Sequence, residues 1–140
     1  MEWLIDTNIV LDYLTDRWPF ADEAQAIWRL CETGKATGYI SALSFANIVY
    51  IMRKVIKPDR IDELLQLISK VFRIADLTAN DLLKAAQLHW KDYEDAIQTV
   101  TAERLHCNAI ITRNTRDYQS ERVPVLSPDA LLKNLESSEK

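Results

Sequence analysis

The sequence predicts an α/β protein, a three-layer α/β/α sandwich around a central, mostly parallel sheet of four or five strands. Short apolar runs of strand length alternate with segments whose apolar residues recur at helical spacing. Such alternation is typical of a parallel sheet with helices on both faces. The chain has 140 residues, which suits one core. We therefore expect a single domain over residues 1–135 and a polar C-terminal tail over 136–140.

The strands and helices follow from these patterns in chain order. The predicted strands are Trp3–Ile5, Tyr39–Ile40, Phe72–Ala75, Ala109–Ile111 and Val123–Leu126. The predicted helices are Pro19–Glu32, Leu43–Lys54, Pro58–Lys70, one capped by Thr78 and running to Trp90, one capped by Asp92 and running to His106, and a short one from Ser127-Pro128.

Composition excludes several classes of protein. The chain has only two glycines, which excludes a glycine-rich phosphate loop. Cys31 and Cys107 are far apart and lack zinc-finger spacing, so we expect two reduced, buried thiols in a cytoplasmic protein. No signal peptide or membrane-spanning run is visible, and we expect no membrane association. Because the net charge is −4, a nucleic-acid binder of this composition needs a local basic patch or bound cations.

Acidic and amide side chains follow or border the apolar runs. They are Asp6, Asn47, Asp92, Asp95 and Asp117. Because parallel strands end at one edge of a sheet, these side chains are expected to converge there. Clustered carboxylates repel one another unless a cation lies among them, and a hard divalent metal prefers oxygen ligands. The pattern therefore favours metal-dependent phosphodiester chemistry.

Each of these residues also has an ordinary structural interpretation. Asp6 could cap the helix that follows it, and Asp92 and Asp95 could satisfy the first turn of theirs. Asp117 could lie in a surface turn. Asn47 interrupts an apolar helix with Ser44 on the same side, and it could bond to the backbone or offer a neutral oxygen to a metal or its water.

Four segments that together span nearly the whole chain are DTNIVLDYL, S-x-x-x-x-x-N-I-V-Y, DYEDAIQTVTAERLHCNAIITRNTRDY and VPVLSPDALL. Taken together, they resemble the PIN domain family. Members of that family have a compact α/β/α sandwich with a parallel sheet. Many are Mg²⁺- or Mn²⁺-dependent ribonucleases, including the VapC-type toxins of toxin–antitoxin pairs.

The resemblance implies a role for individual residues. Asp6, Asp95 and Asp117 match the family's metal-binding acids and are the expected ligands of Mg²⁺ or Mn²⁺. Asn47 stands where the family usually has Glu, which removes one charge and predicts weaker metal binding. It is expected to orient a water or add a neutral ligand. The expected supporting residues are Thr7, Ser41, Asp92 and Asn114, with Asp92 as a source of the missing charge.

Cations near the expected site suggest a nucleic-acid surface. Arg113 and Arg116 flank it and are expected to contact phosphates. A second basic cluster consists of Arg53, Lys54, Lys57 and Arg60, which could also be ordinary solvated charge. His89 and His106 are expected to be structural.

The expected partners are RNA, an antitoxin protein and a second copy of the chain. Trp18, Trp28 and Trp90 exceed what a domain of this size must bury, and Trp is enriched at interfaces. Two alternatives compete with the nuclease. One is a non-catalytic PIN-like module that binds RNA or a protein, and the other is a receiver-like signalling domain. The second lacks the expected phospho-acceptor Asp and the Lys that would end the last strand.

Overall fold

The computed structural model describes residues 1–119 and 122–139, which form one five-stranded sheet and seven α-helices. The strands are β1 (Glu2–Ile5), β2 (Thr37–Ser41), β3 (Arg73–Ala75), β4 (Ala109–Ile111) and β5 (Val125–Leu126). The helices are α1 (Thr7–Leu14), α2 (Ala21–Glu32), α3 (Ala42–Met52), α4 (Pro58–Val71), α5 (Ala79–Gln87), α6 (Tyr93–Arg104) and α7 (Pro128–Glu139).

The sheet is parallel throughout, with the strand order β3-β2-β1-β4-β5. From β1 the chain builds outward through β2 and β3, then crosses to the other side of β1 to form β4 and β5. The strand order therefore reverses between β1 and β4, and open α/β sheets bind ligands at such a point. Asp6 immediately follows β1, and its N–H donates to the Ile111 carbonyl at 3.0 Å, so Asp6 lies at this crevice.

Apolar side chains cover both faces of the sheet. Trp3 and Ile5 of β1 pack into one large cluster with residues of the helices, whereas Leu4 between them packs on the other face with Ile110 and Tyr118. Alternation along one strand thus feeds two helix-covered cores. The predicted α/β/α sandwich is confirmed, with a sheet that is entirely parallel over the described strands.

Gly38 of β2 is required by close packing between the sheet and its helices. A Cβ atom at this position would lie 2.7 Å from Cys31 Sγ and 2.7 Å from Phe72 Cδ1. Cys31 and Cys107 are both buried and unpaired, as expected. Because burial raises the pKa of both thiols, to about 12 and about 11, neither is a ready nucleophile.

Three helices end earlier than predicted, and the first of them, α3, ends at Met52 rather than at Lys54. Helix α5 ends at Gln87 rather than at Trp90, and α6 ends at Arg104 rather than at His106. His89 and His106 follow these ends with φ angles of 56° and 55°, in the left-handed region that terminates helices. Both histidines therefore lie just outside the helices, in positions that shape the backbone.

The C-terminal region also differs from the prediction. Strand β5 begins at Val125 instead of Val123, since Pro124 has no N–H to donate to a sheet ladder. Helix α7 has 12 residues and includes 136–139 of the expected tail, whereas Lys140 lies outside the described residues. Within the described ranges, no helix is both long and apolar enough to cross a bilayer.

The tryptophans expected at an interface are in different environments. Trp28 is part of the core, stacked on Tyr13 at 4.5 Å and edge-on to Phe72 at 4.9 Å between ring centroids, so its assignment to an interface was wrong. Trp90 is half-buried and meets Tyr118 edge-on. Trp18 is 87% exposed, so it alone of these three remains available to a partner.

Candidate active site

Asp6 is both a helix cap and a buried carboxylate. It follows β1 with extended backbone geometry, and its Oδ1 accepts a hydrogen bond from the Thr7 N–H at 2.8 Å, which starts α1. The structural and functional interpretations of Asp6 are therefore compatible. Its side chain is turned into the crevice between β1 and β4, where only 8% of the residue is exposed.

Three side chains fix the rest of the Asp6 carboxylate. Gln98 Nε2 donates to Oδ1 at 3.3 Å, while Thr112 Oγ1 and the Tyr118 hydroxyl donate to Oδ2 at 2.8 and 3.2 Å. These donors come from α6, from the residue after β4 and from the segment that follows. The orientation of Asp6 thus depends on three separate parts of the fold.

Asp95 lies in the first turn of α6 and is buried. Asp92 caps this helix, since its Oδ1 accepts a hydrogen bond from the Asp95 N–H at 3.2 Å. Burial raises the pKa of the Asp95 carboxyl to about 7, and the negative charges of Asp6, Asp92 and Asp117 add to that rise. The Tyr118 hydroxyl, which also hydrogen-bonds Asp95, opposes it.

Asp6 and Asp95 line one cavity of about 390 Å³, which we call the acid cavity. Its other lining residues are Thr7, Asn8, Leu11, Asn47, Tyr50, Ile51, Asp92, Glu94 and Asn114. Of the predicted site residues, the cavity therefore gathers Asp6, Thr7, Asn47, Asp92, Asp95 and Asn114.

Asn47 contacts an acid that the sequence argument did not single out. Its Nδ2 donates to Glu94 Oε1 at 3.5 Å, across the cavity from α3 to α6. A carboxylate in place of Asn47 would repel Glu94, whereas the amide can bind it. Glu94 thus places a negative charge beside Asn47, and Asp92, which caps α6, also lines the cavity.

Asp117 lies apart from the acid cavity. It is exposed, at the end of a short 3-10 helix (Thr115–Asp117), and lines an adjoining cavity of about 480 Å³. Asp92 and Glu94 border both cavities, and Lys91 and Arg116 line the second one. Asp117 is still near enough to raise the pKa of Asp95.

Arg113 forms an ion pair with a buried acid. Its guanidinium binds both carboxylate oxygens of buried Asp12, at 2.5 and 3.1 Å. Its Cζ lies 4.0 Å from the Phe20 ring centroid. The bidentate pair compensates the charge of Arg113, and a contact between Arg113 and a phosphate stays a prediction.

A polar network lies beneath Asp6. Thr7 Oγ1 and Ser41 Oγ donate to Ser44 Oγ at 2.8 and 3.2 Å, and Gln98 Nε2 reaches the same oxygen at 2.7 Å. Thr7 and Ser41 thus lie in the supporting network. Gln98 Oε1 is buried without a hydrogen-bond partner among the described residues, so the network leaves one acceptor open.

The sequence argument missed several contacts of the Asp6 carboxylate. Gln98 lies three residues after Asp95, on the same face of α6, and Thr112 directly follows the last residue of β4. From these two positions, Gln98 and Thr112 could have been predicted to lie near Asp6. Tyr118 ends one of the PIN-like segments, but no pattern indicated that its hydroxyl would contact Asp6.

The donor set of the acid cavity fits a hard divalent cation. It offers the carboxylates of Asp6 and Asp95 and the amides of Asn47 and Asn114, all oxygen donors. Over the described parts of the chain, no group of three or more His, Cys, Asp or Glu side chains could hold a metal ion. The arrangement therefore suits Mg²⁺ or Mn²⁺ bound by one or two carboxylates with several waters retained.

The fold and this cavity define an α/β protein with an acidic crevice at the switch point of a parallel sheet. The family profile described as PIN domain matches residues 2–116. The chain belongs to the PIN domain family. Members of this family are typically nucleases, and PIN domain nucleases generally use divalent metals.

Solved structures of toxin–antitoxin proteins are similar to this chain. A toxin–antitoxin complex from Klebsiella pneumoniae is 25% identical, with a TM-score of 0.67 over 89% of this chain and 96% of the other. VapBC2 from Rickettsia felis, bound to a promoter DNA fragment, is 17% identical, with a TM-score of 0.71 over 91% and 98%. VapC20 from Mycobacterium tuberculosis, a sarcin-ricin loop cleaving toxin, is 11% identical, with a TM-score of 0.62 over 77% and 86%. No curated protein sequence matches the chain significantly.

Proposed function

We propose that the protein is a metal-dependent endoribonuclease that acts as the toxin of a toxin–antitoxin pair in the cytoplasm. The observation that carries this proposal is the pair of buried carboxylates, Asp6 and Asp95, in one cavity at the switch point. Holding two such groups together without a cation is unfavourable, which is why burial and mutual repulsion raise the pKa of Asp95.

In this proposal Asp6 and Asp95 hold Mg²⁺ or Mn²⁺. When bound, the ion supplies charge stabilisation at a phosphate oxygen and activation of a water. Thr112, Tyr118 and Gln98 keep the Asp6 carboxylate in place.

The remaining predicted residues have lesser roles. Asn47 orients a water or lends a neutral oxygen, and Asn114 lines the same cavity. Asp117 adds negative charge from the adjoining cavity, where Asp117, Asp92 and Glu94 are the carboxylates available to a second ion. Arg116, which is exposed there, binds a phosphate of the RNA.

The test is cleavage of single-stranded RNA in Mn²⁺ and in EDTA. Asp6→Asn and Asp95→Asn should each abolish cleavage, because each removes one of two charged ligands. Asp62→Asn makes the same chemical change on the exposed face of α4, outside the acid cavity, and should leave cleavage intact. Cleavage that survives EDTA and both cavity substitutions would contradict the proposal.

An antitoxin protein is the proposed partner. The Klebsiella pneumoniae structure, 25% identical to this chain, is a toxin–antitoxin complex. A protein that covers the acid cavity would block RNA access to Asp6 and Asp95. Co-expression with the product of the neighbouring gene should give a complex that no longer cleaves RNA.

A homodimer is also proposed. Val55, between α3 and α4, and Leu67 of α4 are 64% and 44% exposed, and both border a surface cavity of about 610 Å³. Trp18 is the exposed tryptophan elsewhere on the surface. A second copy would remove these apolar side chains from water. Light scattering at micromolar concentration should give the mass of two chains, and a monomeric mass would count against a dimer.

The second candidate function is a PIN module that binds RNA or a protein without cleaving it. Asn47 in place of a carboxylate favours it. So does the absence, over the described residues, of three acids placed so that they could hold a metal ion together. Calorimetry with Mn²⁺ separates the two candidates. Binding weaker than millimolar, together with intact RNA, would favour the non-catalytic module.

A further inference from the structure

One wall of the acid cavity carries an exposed aromatic ring. Tyr50, near the end of α3, lines the cavity together with Ile51, and it is 54% exposed. None of the apolar clusters of the core over the described residues includes it. Packing therefore does not account for a large aromatic side chain at this position.

Two cations lie against the same ring. Arg53 Cζ is 4.2 Å and Lys54 Nζ is 5.1 Å from the Tyr50 ring centroid. Both side chains are exposed, and no carboxylate in the described part of the chain forms an ion pair with either. The α3 end of the acid cavity is thus a positively charged aromatic patch, which we call the α3 patch: Tyr50, Arg53 and Lys54.

An acidic cavity on an acidic protein repels a polyanion. The net charge is −4, and Asp6, Asp92, Glu94 and Asp95 all line the cavity. A phosphodiester chain can approach only where uncompensated cations offset this repulsion. Arg113 does not provide one, because Asp12 binds it. The α3 patch does, and Tyr50 belongs to both the patch and the cavity wall.

We propose that the α3 patch binds single-stranded nucleic acid and leads it into the acid cavity. A base stacks on the Tyr50 ring in place of the cations that lie over it, and Arg53 and Lys54 then bind neighbouring phosphates. Aromatic stacking beside cations is how single strands bind without sequence readout. A duplex keeps its bases inside, so one exposed ring selects an unpaired strand. The patch as a substrate site rests on the proposed nuclease function, whereas its binding of a strand does not.

The stacking arm of the test compares two substitutions of Tyr50 in Asp95→Asn protein, which should not cleave the probe. Fluorescence anisotropy measures the Kd of a fluorescein-labelled single-stranded RNA of about 12 nucleotides. Tyr50→Leu should raise Kd about tenfold, because it removes the ring, whereas Tyr50→Phe should leave Kd within about twofold. A DNA strand of the same sequence shows whether the 2′-hydroxyl contributes, and equal or weaker DNA binding both fit the proposal.

The charge arm measures how Kd depends on salt. Arg53→Gln combined with Lys54→Gln should lower the slope of log K against log salt by about 1.4, since each phosphate contact contributes about 0.7 on a single strand. Arg29→Gln combined with Lys35→Gln is the matched control. It removes the same two charges from exposed sites near the end of α2 and just before β2, at the opposite edge of the sheet. This control should leave the slope unchanged.

The outcomes separate the patch from the nuclease. The proposal would be overturned if Tyr50→Leu and Tyr50→Phe protein had equal Kd values. It would also be overturned if the two charge variants lowered the salt slope equally, or if duplex RNA bound as tightly as single strands. A change in mass by light scattering on Tyr50→Leu would overturn it as well, since it would make the patch a protein interface. RNA cleavage with an unchanged KM in Tyr50→Leu protein would reject the patch but retain the nuclease. Binding as described without cleavage would do the reverse.

Discussion

Asp92 and Asp95 lie close together at the start of α6 but have different roles. Asp92, three residues earlier, takes the capping role through its side chain, which leaves the Asp95 carboxylate free to turn into the acid cavity. There the carboxyl group is buried beside Asp6, and its pKa is raised to about 7. The position therefore costs folding free energy that only a cation or a proton relieves.

That cost predicts an unusual pH dependence of stability in EDTA. The Asp95 pKa is about 7 when folded against 3.8 for the free side chain, so between these values the folded state binds more protons than the unfolded state. Stability contributed by this group must then fall as pH rises from about 4 to about 7, by up to roughly 4 kcal/mol. Asp95→Asn removes the titration.

Urea unfolding at several pH values measures this difference. The stability of Asp95→Asn relative to the natural chain should increase with pH across that range and level off above it. Asp62→Asn, at an exposed site, should show no such trend. A difference between Asp95→Asn and the natural chain that does not vary with pH would disprove the raised pKa.

Asn47 provides a second test at the residue scale. Asn47→Glu would place a carboxylate against Glu94 and near Asp95. Without metal it should lower the melting temperature through repulsion, and with Mn²⁺ it should bind the ion about tenfold more tightly because it adds a charged ligand. Asn47→Gln adds no charge, so it should change neither the melting temperature nor the affinity for Mn²⁺. Calorimetry and thermal melts measure both effects, and tighter binding without lower metal-free stability would contradict this geometry.

Single residues could be predicted where chemistry limited the choice. An Asp directly after a buried strand needed a partner, which singled out Asp6 from sequence alone. The partner of Arg113 could not be predicted. Asp12 lies on α1, about 100 positions away in the chain, and no sequence pattern indicated that its side chain would be buried. In the structure, the guanidinium of Arg113 forms an ion pair with the buried carboxylate of Asp12.

At the scale of elements, this ion pair ties α1 to the segment after β4. Arg113 binds Asp12 through its side chain and donates from its N–H to Asn8 Oδ1 at 3.4 Å. The neighbouring Thr112 holds Asp6. The pair thus positions the two strand ends between which the acid cavity opens.

Breaking one side of the pair should be costly. Arg113→Gln leaves the Asp12 carboxylate, 1% exposed, without its cation, and should destabilise the fold by about 3 kcal/mol. The double variant Asp12→Asn with Arg113→Gln should recover most of that loss, because no buried charge remains unpaired. Denaturant unfolding of the double-mutant cycle measures the coupling. Additive losses would show that the pair is not coupled.

Element types were easier to predict than their ends. Helical spacing of apolar residues predicted α2, α3 and α4, whereas capping residues predicted α5 and α6 and the Ser127-Pro128 pair predicted α7. The ends of α5 and α6 depended on left-handed backbone at His89 and His106, for which histidine gives only a weak signal. Helix α1 was seen only as the segment that Asp6 would cap.

At the scale of the molecule, strand order decides which residues meet. The sheet predicted from alternating elements is observed, and its order places β1 between β2 and β4. Sequence could say that strand ends share one edge but not which ends are neighbours. Asp6 and Thr112 are adjacent because β1 pairs with β4, whereas Asp117 follows a turn that carries it to an adjoining cavity.

The central claim is that Asp6 and Asp95 together bind a divalent cation in the acid cavity. The most direct measurement is anomalous diffraction from a crystal soaked in Mn²⁺. We expect a peak within about 2.0–2.6 Å of carboxylate oxygens of both residues. No peak there at millimolar Mn²⁺, or one bound only by exposed carboxylates elsewhere, would contradict it.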